Sequence, residues 1–354
     1  MKSVKNALIC LPFLLVTGCT NLGPQAIQGS RTDYNIALRQ TEDEQLLLNL
    51  VRLRYRDRVL FLQLSTLTTQ FTFAASGNIS SEFGDTPSLY GINGRVAIEE
   101  KPTVTYTPLQ GGDYVEQVLS PIKLETLFLL NGSGWSSERL FRTLIEQLNG
   151  VKNAPGASGP TPDHVPEYEK FLHVTQLLRR LEVAGLVTGA GSESGMVLQF
   201  ESAAQQVPDY QNLMEMLGLD PTIGVYPITT GIGRQEANSL NVRFRSFAGV
   251  MYFLSQAIDI PAKDVSAGRV TVTRDDSGRS FDWAQVTAGL MYIKSSEDRP
   301  KNASVAVFYR GSWFYIDDSD LNSKSTFSML GQVFALQSGD VEPAALLLTL
   351  PVGG

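Results

Sequence analysis

From Asp33 to Arg56 the apolar residues Ile36, Leu46, Leu47, Leu50, Val51 and Leu53 recur at helical spacing, which predicts a helix with one inward face. Thr41-Glu42-Asp43-Glu44 has the form of a capping box and predicts a break near Gln40 and Thr41. The period then changes to two. Leu60, Leu62 and Leu64 alternate with Phe61, Gln63 and Ser65, and the run continues to Phe73, so Val59 to Ala75 reads as one long strand. A segment rich in Gly, Ser, Asn and Asp, from Gly77 to Gly94, leads to a second alternating run, Val96 to Thr107, with a break at Lys101-Pro102. Two long strands joined by a loop predict an extended hairpin. The commoner place for such a hairpin is the core; the alternative is that its edge pairs with a partner's sheet.

Beyond Gly111-Gly112, Asp113 can cap a short helix to Leu119 that Pro121 stops. Lys123 to Leu130 and Ser136 to Leu148 read as helices, the second with Leu140, Leu144, Ile145 and Leu148 on one face. Gly150 to Pro166, rich in Gly, Pro, Ala and Asn, reads as a linker. Glu167 to Ala184 is an amphipathic helix closed by Gly185, and Leu186–Thr188 and Met196–Phe200 then flank a Gly/Ser turn. Helix, glycine and hairpin together have the outline of a winged helix, read here as a packing module. A helix over Asp209 to Leu217 and a Gly/Pro/Thr loop through Gly233 follow.

The C-terminal third predicts a strand, a helix from Phe247 to Ile258 stopped by Pro261, and strands beginning at Arg269 to Arg274. Val305–Tyr309 and Trp313–Ile316 form a hairpin about Arg310-Gly311-Ser312, Asp320 caps a helix to about Leu336, and Leu346 to Val352 is a final strand. Helices and strands alternate without regular βαβ spacing, so the class is α+β. Its expected parts are an N-terminal helix and long β-hairpin, a central helical part with the winged-helix-like unit, and a C-terminal mixed sheet with two helices. The corresponding boundaries are residues 33–150, a linker at 151–165, then 166–235 and 236–354.

Composition narrows the chemistry. With 36 acidic against 29 basic residues the formal net charge is −7, so nucleic acid is not an expected partner. The leucine-rich stretch from Leu46 to Leu64 carries Arg52, Arg54, Arg56, Asp57 and Arg58, which a bilayer interior would penalise. Those arginines suggest an anion patch, but alternate residues cannot share one helical face, and a solvated or salt-bridged face is the preferred reading. His164 and His173 are the two histidines, and neither has a histidine or cysteine beside it, so zinc is not expected.

Asp318-x-Asp320-x-Asn322 starts like a calcium loop, but Ser323 takes the glycine position and Met329 that of the final glutamate. Helix capping explains Asp317, Asp318 and Asp320 better, and no metal or cofactor is expected. Gly191-Ser192-Glu193-Ser194-Gly195 is one residue out of register for a nucleophile elbow. Gly231-Ile232-Gly233 puts Glu236 where a dinucleotide frame needs glycine, and no clear strand precedes it. Asp163-His164 lies in the linker, His173 in a helix, and neither has a nucleophile in view. Glu99-Glu100 and Asp275-Asp276 are adjacent carboxylates whose side chains usually diverge. Trp313, Phe314 and Tyr315, with Tyr252 and Phe253, are either core or a ligand platform. No catalytic residue emerges.

One address remains. Lys2 and Lys5, an apolar run from Ala7 to Val16 too short to span a bilayer, and Leu15-Val16-Thr17-Gly18-Cys19 resemble the signal and lipobox of bacterial lipoproteins. The resemblance implies that residues 1–18 are removed and that Cys19 is the lipidation site. Residues 19–32 then read as a lipidated tether, small and polar. Loss of Lys2 and Lys5 makes the net charge more negative, and loss of Cys10 leaves no disulfide. Lipoproteins kept in the inner membrane typically carry Asp after the cysteine, so with Thr20 and Asn21 there the resemblance implies the outer membrane, its periplasmic face favoured and the cell surface the alternative. Glu44–Tyr55, Pro102–Leu109 and Trp313–Asp318 also resemble segments of uncharacterised proteobacterial lipoproteins, a likeness that brings no activity with it.

The expected function is that of a lipid-anchored, non-enzymatic scaffold or accessory subunit of an envelope assembly, with an envelope protein as partner. The alternatives are a hydrolase acting on envelope glycan or lipid through a carboxylate pair, and a carrier of an apolar ligand. An exposed strand edge favours the scaffold, two carboxylates facing across a cleft favour the hydrolase, and a closed apolar pocket favours the carrier.

Overall fold

The computed structural model describes residues 22–81, 90–192, 195–231 and 237–337. Cys19 and the expected strand from Leu346 to Val352 lie outside them. The described residues divide into two compact units, one spanning Leu60–Tyr114 and the other formed by the chain on either side of it. The class is α+β, as the alternation of elements predicts.

Helix α1 (Leu22–Arg54) is continuous, which corrects the break expected near Gln40 and Thr41; residues 22–32 of the expected tether belong to this helix. Its local chemistry explains the continuity. Thr41 Oγ1 donates back to the Leu38 carbonyl at 2.8 Å, Gln40 donates to Glu44 at 2.9 Å, and Arg39 lies 3.7 Å from Glu42 and 3.6 Å from Asp43. In its C-terminal half Leu47, Leu50 and Val51 are fully enclosed, whereas Ile36 is 60% exposed.

In the smaller unit, β1 (Leu62–Ser81) and β2 (Tyr90–Pro108) pair antiparallel from Leu62–Pro108 to Ser81–Tyr90, with one irregularity between Leu64 and Thr66. Among the described residues no third strand joins them, so the expectation of an ordinary core hairpin is corrected. The expected break at Lys101-Pro102 does not occur either, because Gln70 and Thr69 pair with these residues. Proline is tolerated there because each strand of a two-stranded sheet is an edge. The Leu109 amide donates to the Phe61 carbonyl at 2.9 Å and closes the base of the ladder. A short helix α2 (Gly111–Tyr114) follows, and in the larger unit a π-helical turn (Val115–Leu119) ends just before Pro121.

The larger unit holds a six-stranded sheet. Helices α3 (Leu124–Gly132) and α4 (Ser137–Leu144) precede β3 (Ile145–Leu148) and β4 (Val151–Lys152). The helix expected to continue to Leu148 therefore stops at Leu144, because Ile145 and Leu148 pair with the C-terminal strand β8. Next come α5 (Glu169–Val183), β5 (Val187–Ser192), β6 (Gly195–Phe200), α6 (Pro208–Leu217), β7 (Val225–Thr230) and β8 (Leu240–Phe244). The order is β4-β3-β8-β7-β6-β5, with β7 and β8 parallel and the other pairs antiparallel.

Two readings are corrected by this sheet. The wing-like hairpin β5–β6, read as a packing module, is extended by β7. The Gly/Pro/Thr loop before Gly231 contains that strand. Residues 151–165 are not a linker between domains, because Ala154 and Ala157 are fully buried and the sheet draws strands from all three proposed regions.

After β8 come α7 (Phe247–Ser255), two short helices α8 (Ala262–Ser266) and α9 (Ala284–Thr287), and β9 (Lys294–Ser296). Strands β10 (Ala303–Tyr309) and β11 (Ser312–Asp317) and helix α10 (Leu321–Gln337) complete the described chain. The C-terminal sheet, β10-β11-β9, is antiparallel throughout; the mixed pairing lies in the six-stranded sheet, to which this region gives β8. Arg269 to Arg274 forms no strand, only a bridge between Arg274 and Ser280. Arg310 (φ 48°) and Gly311 (φ 79°) turn the β10–β11 hairpin with the left-handed pair that such a tight turn requires.

Two polar clusters tie this unit together. Arg245 is fully buried at the C-terminal end of α4, where it donates to the carbonyls of Ile145 at 2.7 Å, Thr143 at 3.1 Å and Asn153, and to Ser158 Oγ at 3.0 Å. Its guanidinium also lies 4.1 Å from the centre of the Phe253 ring. Asp264, inaccessible to solvent, accepts from Tyr55 Oη and from Arg269, each at 2.6 Å, and links the end of α1 to α8.

Candidate functional site

The first candidate surface is the hairpin itself. Its ladder satisfies inward-facing backbone groups, while the outer edge of each strand carries donors and acceptors that neither strand can use. At its base Leu62, Val104 and Tyr106 are 36%, 39% and 43% exposed, so the strands also present apolar side chains to solvent there. Ser65 and Thr107 bridge through their hydroxyls at 2.7 Å and hold the register beside the irregularity.

A second candidate is a cleft of about 710 Å³ in the larger unit, walled by Ile258, Ile260, Val270, Phe281, Trp283 and Met291. Arg54 reaches it from the end of α1 and is anchored by a 3.0 Å bond to the Thr271 carbonyl; Arg56 donates to the hydroxyl of the same threonine. Burial pulls the Arg54 guanidinium down to about 10, so it remains a cation at neutral pH. Its Nε and the buried Oε1 of Gln256 have no hydrogen-bond partner among the described residues. Both atoms are inaccessible to solvent, so they lie orphaned inside the wall behind the cleft's apolar side chains. Sequence reading missed this placement, and the solvated face preferred for the arginines is corrected at Arg54.

Three carboxylates line the cleft, and each has a local task. Asp259 accepts from Ser295 Oγ at 3.1 Å, Asp282 from the Ala284 amide at 2.9 Å, and Asp320 from the amide and hydroxyl of Ser323 at 3.1 and 2.6 Å. The last pair is the cap expected for α10. Trp283 Nε1 donates to Thr273 Oγ1 at 3.1 Å and fixes the indole in the wall.

Comparison with known proteins finds no matching family model, no matching curated protein and no matching solved structure. Function must be argued from geometry.

The other residues singled out in the sequence do not converge on a common centre. Asp317 is held well below the usual carboxylate range by the Ser319 hydroxyl and by Lys294 at 3.0 Å, and Asp318 pairs with Lys324 at 2.6 Å. Asp275 accepts from Ser277 and Arg279 within one turn. His173 sits in α5 and Asp163-His164 in the loop before it. A strand, β7, does precede Gly231, contrary to expectation; residues 232–236 lie outside the described chain. Glu193 and Ser194 do so as well. Phe253 and Phe314 are fully buried core residues, while Trp313 stacks with Phe308 at 5.3 Å and lies 5.3 Å from the Arg299 guanidinium. Among the described residues no three potential metal ligands cluster.

Proposed function

We propose that this protein is a lipid-anchored assembly protein of the bacterial envelope, held at the periplasmic face of the outer membrane by acyl chains on Cys19 and recruiting a partner through its hairpin. The observation that carries this reading is the two-stranded ladder that, among the described residues, no third strand completes. A lone hairpin is marginally stable in water, and an open strand edge is a template for another chain. The arrangement of the cleft supports a non-catalytic role, because its carboxylates already serve as caps and hydroxyl acceptors. Two or three acyl chains supply roughly 15 to 30 kcal/mol of attachment, enough to confine the protein to its bilayer.

Purification from detergent-solubilised membranes tests this, comparing the wild type with Cys19→Ala. The expected result is a mature N-terminus at an acylated Cys19, membrane retention lost in Cys19→Ala, and reproducible strand-mediated complexes. A solitary protein that hydrolyses envelope glycan or lipid would refute it.

The cleft supports a second reading, a carrier for a small apolar ligand, because Ile258, Ile260, Val270, Phe281 and Met291 line it. Quenching of tryptophan fluorescence by a fatty acid, lost in Trp283→Phe, would support this reading.

A further inference from the structure

We infer that the hairpin is one stave of a membrane-spanning β-barrel built from several copies of this chain. The inference rests on the assembly reading above and names its partner as the same hairpin in other copies.

The ladder register decides which positions share a face. Directly paired residues of an antiparallel ladder lie on one face, and that face recurs every second residue. From the Phe71–Glu100 pair to the Ser81–Tyr90 pair, one face therefore receives Phe71, Phe73, Ile79, Ile92, Val96 and Ile98, with Ala75 and two glycines between them and Glu100, Ser81 and Tyr90 only at its two ends. The other receives Thr72, Ser76, Asn78, Asn93, Arg95 and Glu99, with Ala74 and Ala97. A soluble two-stranded arm has no need of a continuous apolar face on 11-residue strands. A barrel has: one face meets lipid and the other lines a watery lumen.

Length agrees with this use. Ten steps of about 3.4 Å span about 34 Å, and a tilt near 40° reduces this to about 26 Å, close to the apolar band of outer-membrane barrels. Tyr90, the tyrosine of the lipid-side set, and Glu100, its charged residue, stand at opposite ends of that span. These are the levels at which interfacial girdles and charges are tolerated. Pro102 falls outside it, toward the base.

Closure supplies the partner. A membrane strand cannot leave its edge groups unpaired in hydrocarbon, and this hairpin has an open edge on both sides. Identical staves related by rotation satisfy both edges at once, and a common lipid anchor places every copy in the same plane. At two strands per chain, the smallest bacterial barrel, of about eight strands, takes about four copies. Among the described residues no helix is long and apolar enough to cross a membrane.

Single cysteines introduced from position 71 to 80 in the full-length chain, in native membranes, test this. The mature chain has no other free thiol when Cys19 is acylated. A membrane-impermeant maleimide is expected to label Thr72→Cys, Ser76→Cys and Asn78→Cys at least about tenfold faster than Phe73→Cys, Ala75→Cys and Ile79→Cys. Independently of any variant, the purified wild type should have a mass in detergent of several chains and give discrete conductance steps in planar bilayers. A monomer whose hairpin cross-links to a different envelope protein, without alternating labelling, would overturn the barrel and keep the assembly reading. A monomer labelled quickly at every position, with nothing cross-linked, would overturn both.

Discussion

Replacing Arg245 with methionine should be the most damaging single change in the larger unit. The wild-type guanidinium satisfies four carbonyls and one hydroxyl around the end of α4 and the Asn153–Ser158 segment, and among the described residues no carboxylate contacts it. Burial drops its pKa to about 9, which still leaves the side chain charged at neutral pH. Methionine fills much of the volume; the Arg142 and Ile145 carbonyls keep Asn153 Nδ2 as donor, but the Thr143 and Asn153 carbonyls and the Ser158 hydroxyl lose theirs at about 1 to 3 kcal/mol each. Removing the cation also relieves its own desolvation, worth several kcal/mol, so the net loss should be about 3 to 5 kcal/mol. That is a large share of the 5 to 15 kcal/mol typical of a folded domain. Urea unfolding followed by tryptophan fluorescence measures it, with Arg245→Lys expected to recover part of the loss. A variant within about 1 kcal/mol of wild type would show that water or rearranged backbone replaces the guanidinium without penalty.

Asp264→Asn should cost about 2 to 3 kcal/mol at neutral pH. Burial raises the Asp264 carboxyl, but the Tyr55 and Arg269 hydrogen bonds and the nearby cations outweigh it and hold the group below its ordinary value. Its stabilisation is therefore present above about pH 4 and disappears as pH falls through the depressed folded value, so urea midpoints of the two proteins should converge in acid. Gly189→Val should cost about 1 to 3 kcal/mol, since even a Cβ at Gly189 would sit 2.4 Å from Phe128 Cε1; thermal melting measures it, and an unchanged midpoint would mean the ring swings away. Gly311→Val should lower stability by about 1 kcal/mol or more through the positive φ of 79°, while Gly311→Asn should be milder.

Where residues act through neighbours in sequence, the chain is legible. Alternation around Leu62–Leu64 and Val96–Tyr106 located both long strands, and Asp320 announced the start of α10. Where a distant strand decides, it is not. Ile145 and Leu148 continue the helical stripe of Leu140 and Leu144, and only pairing with Phe244 and Val242 makes them a strand. Val225–Thr230 is disguised by Pro227 and flanking glycine, and the small residues Ala154 and Ala157 look like a linker while filling the core. The cleft was invisible for the same reason: Arg54 and Gln256 are two hundred residues apart, and nothing local marks either as a wall of the same space.

The unbroken course of α1 has a mechanical consequence. A slack leash fixes only a maximum distance, whereas a rod fixes height and heading together. At about 1.5 Å per residue, the stretch from Leu22 to Leu47 is about 37 Å long. With fat on Cys19, that shaft would set how far the body stands from the headgroups. Inserting two residues would turn the body by about 200° as well as raising it about 3 Å.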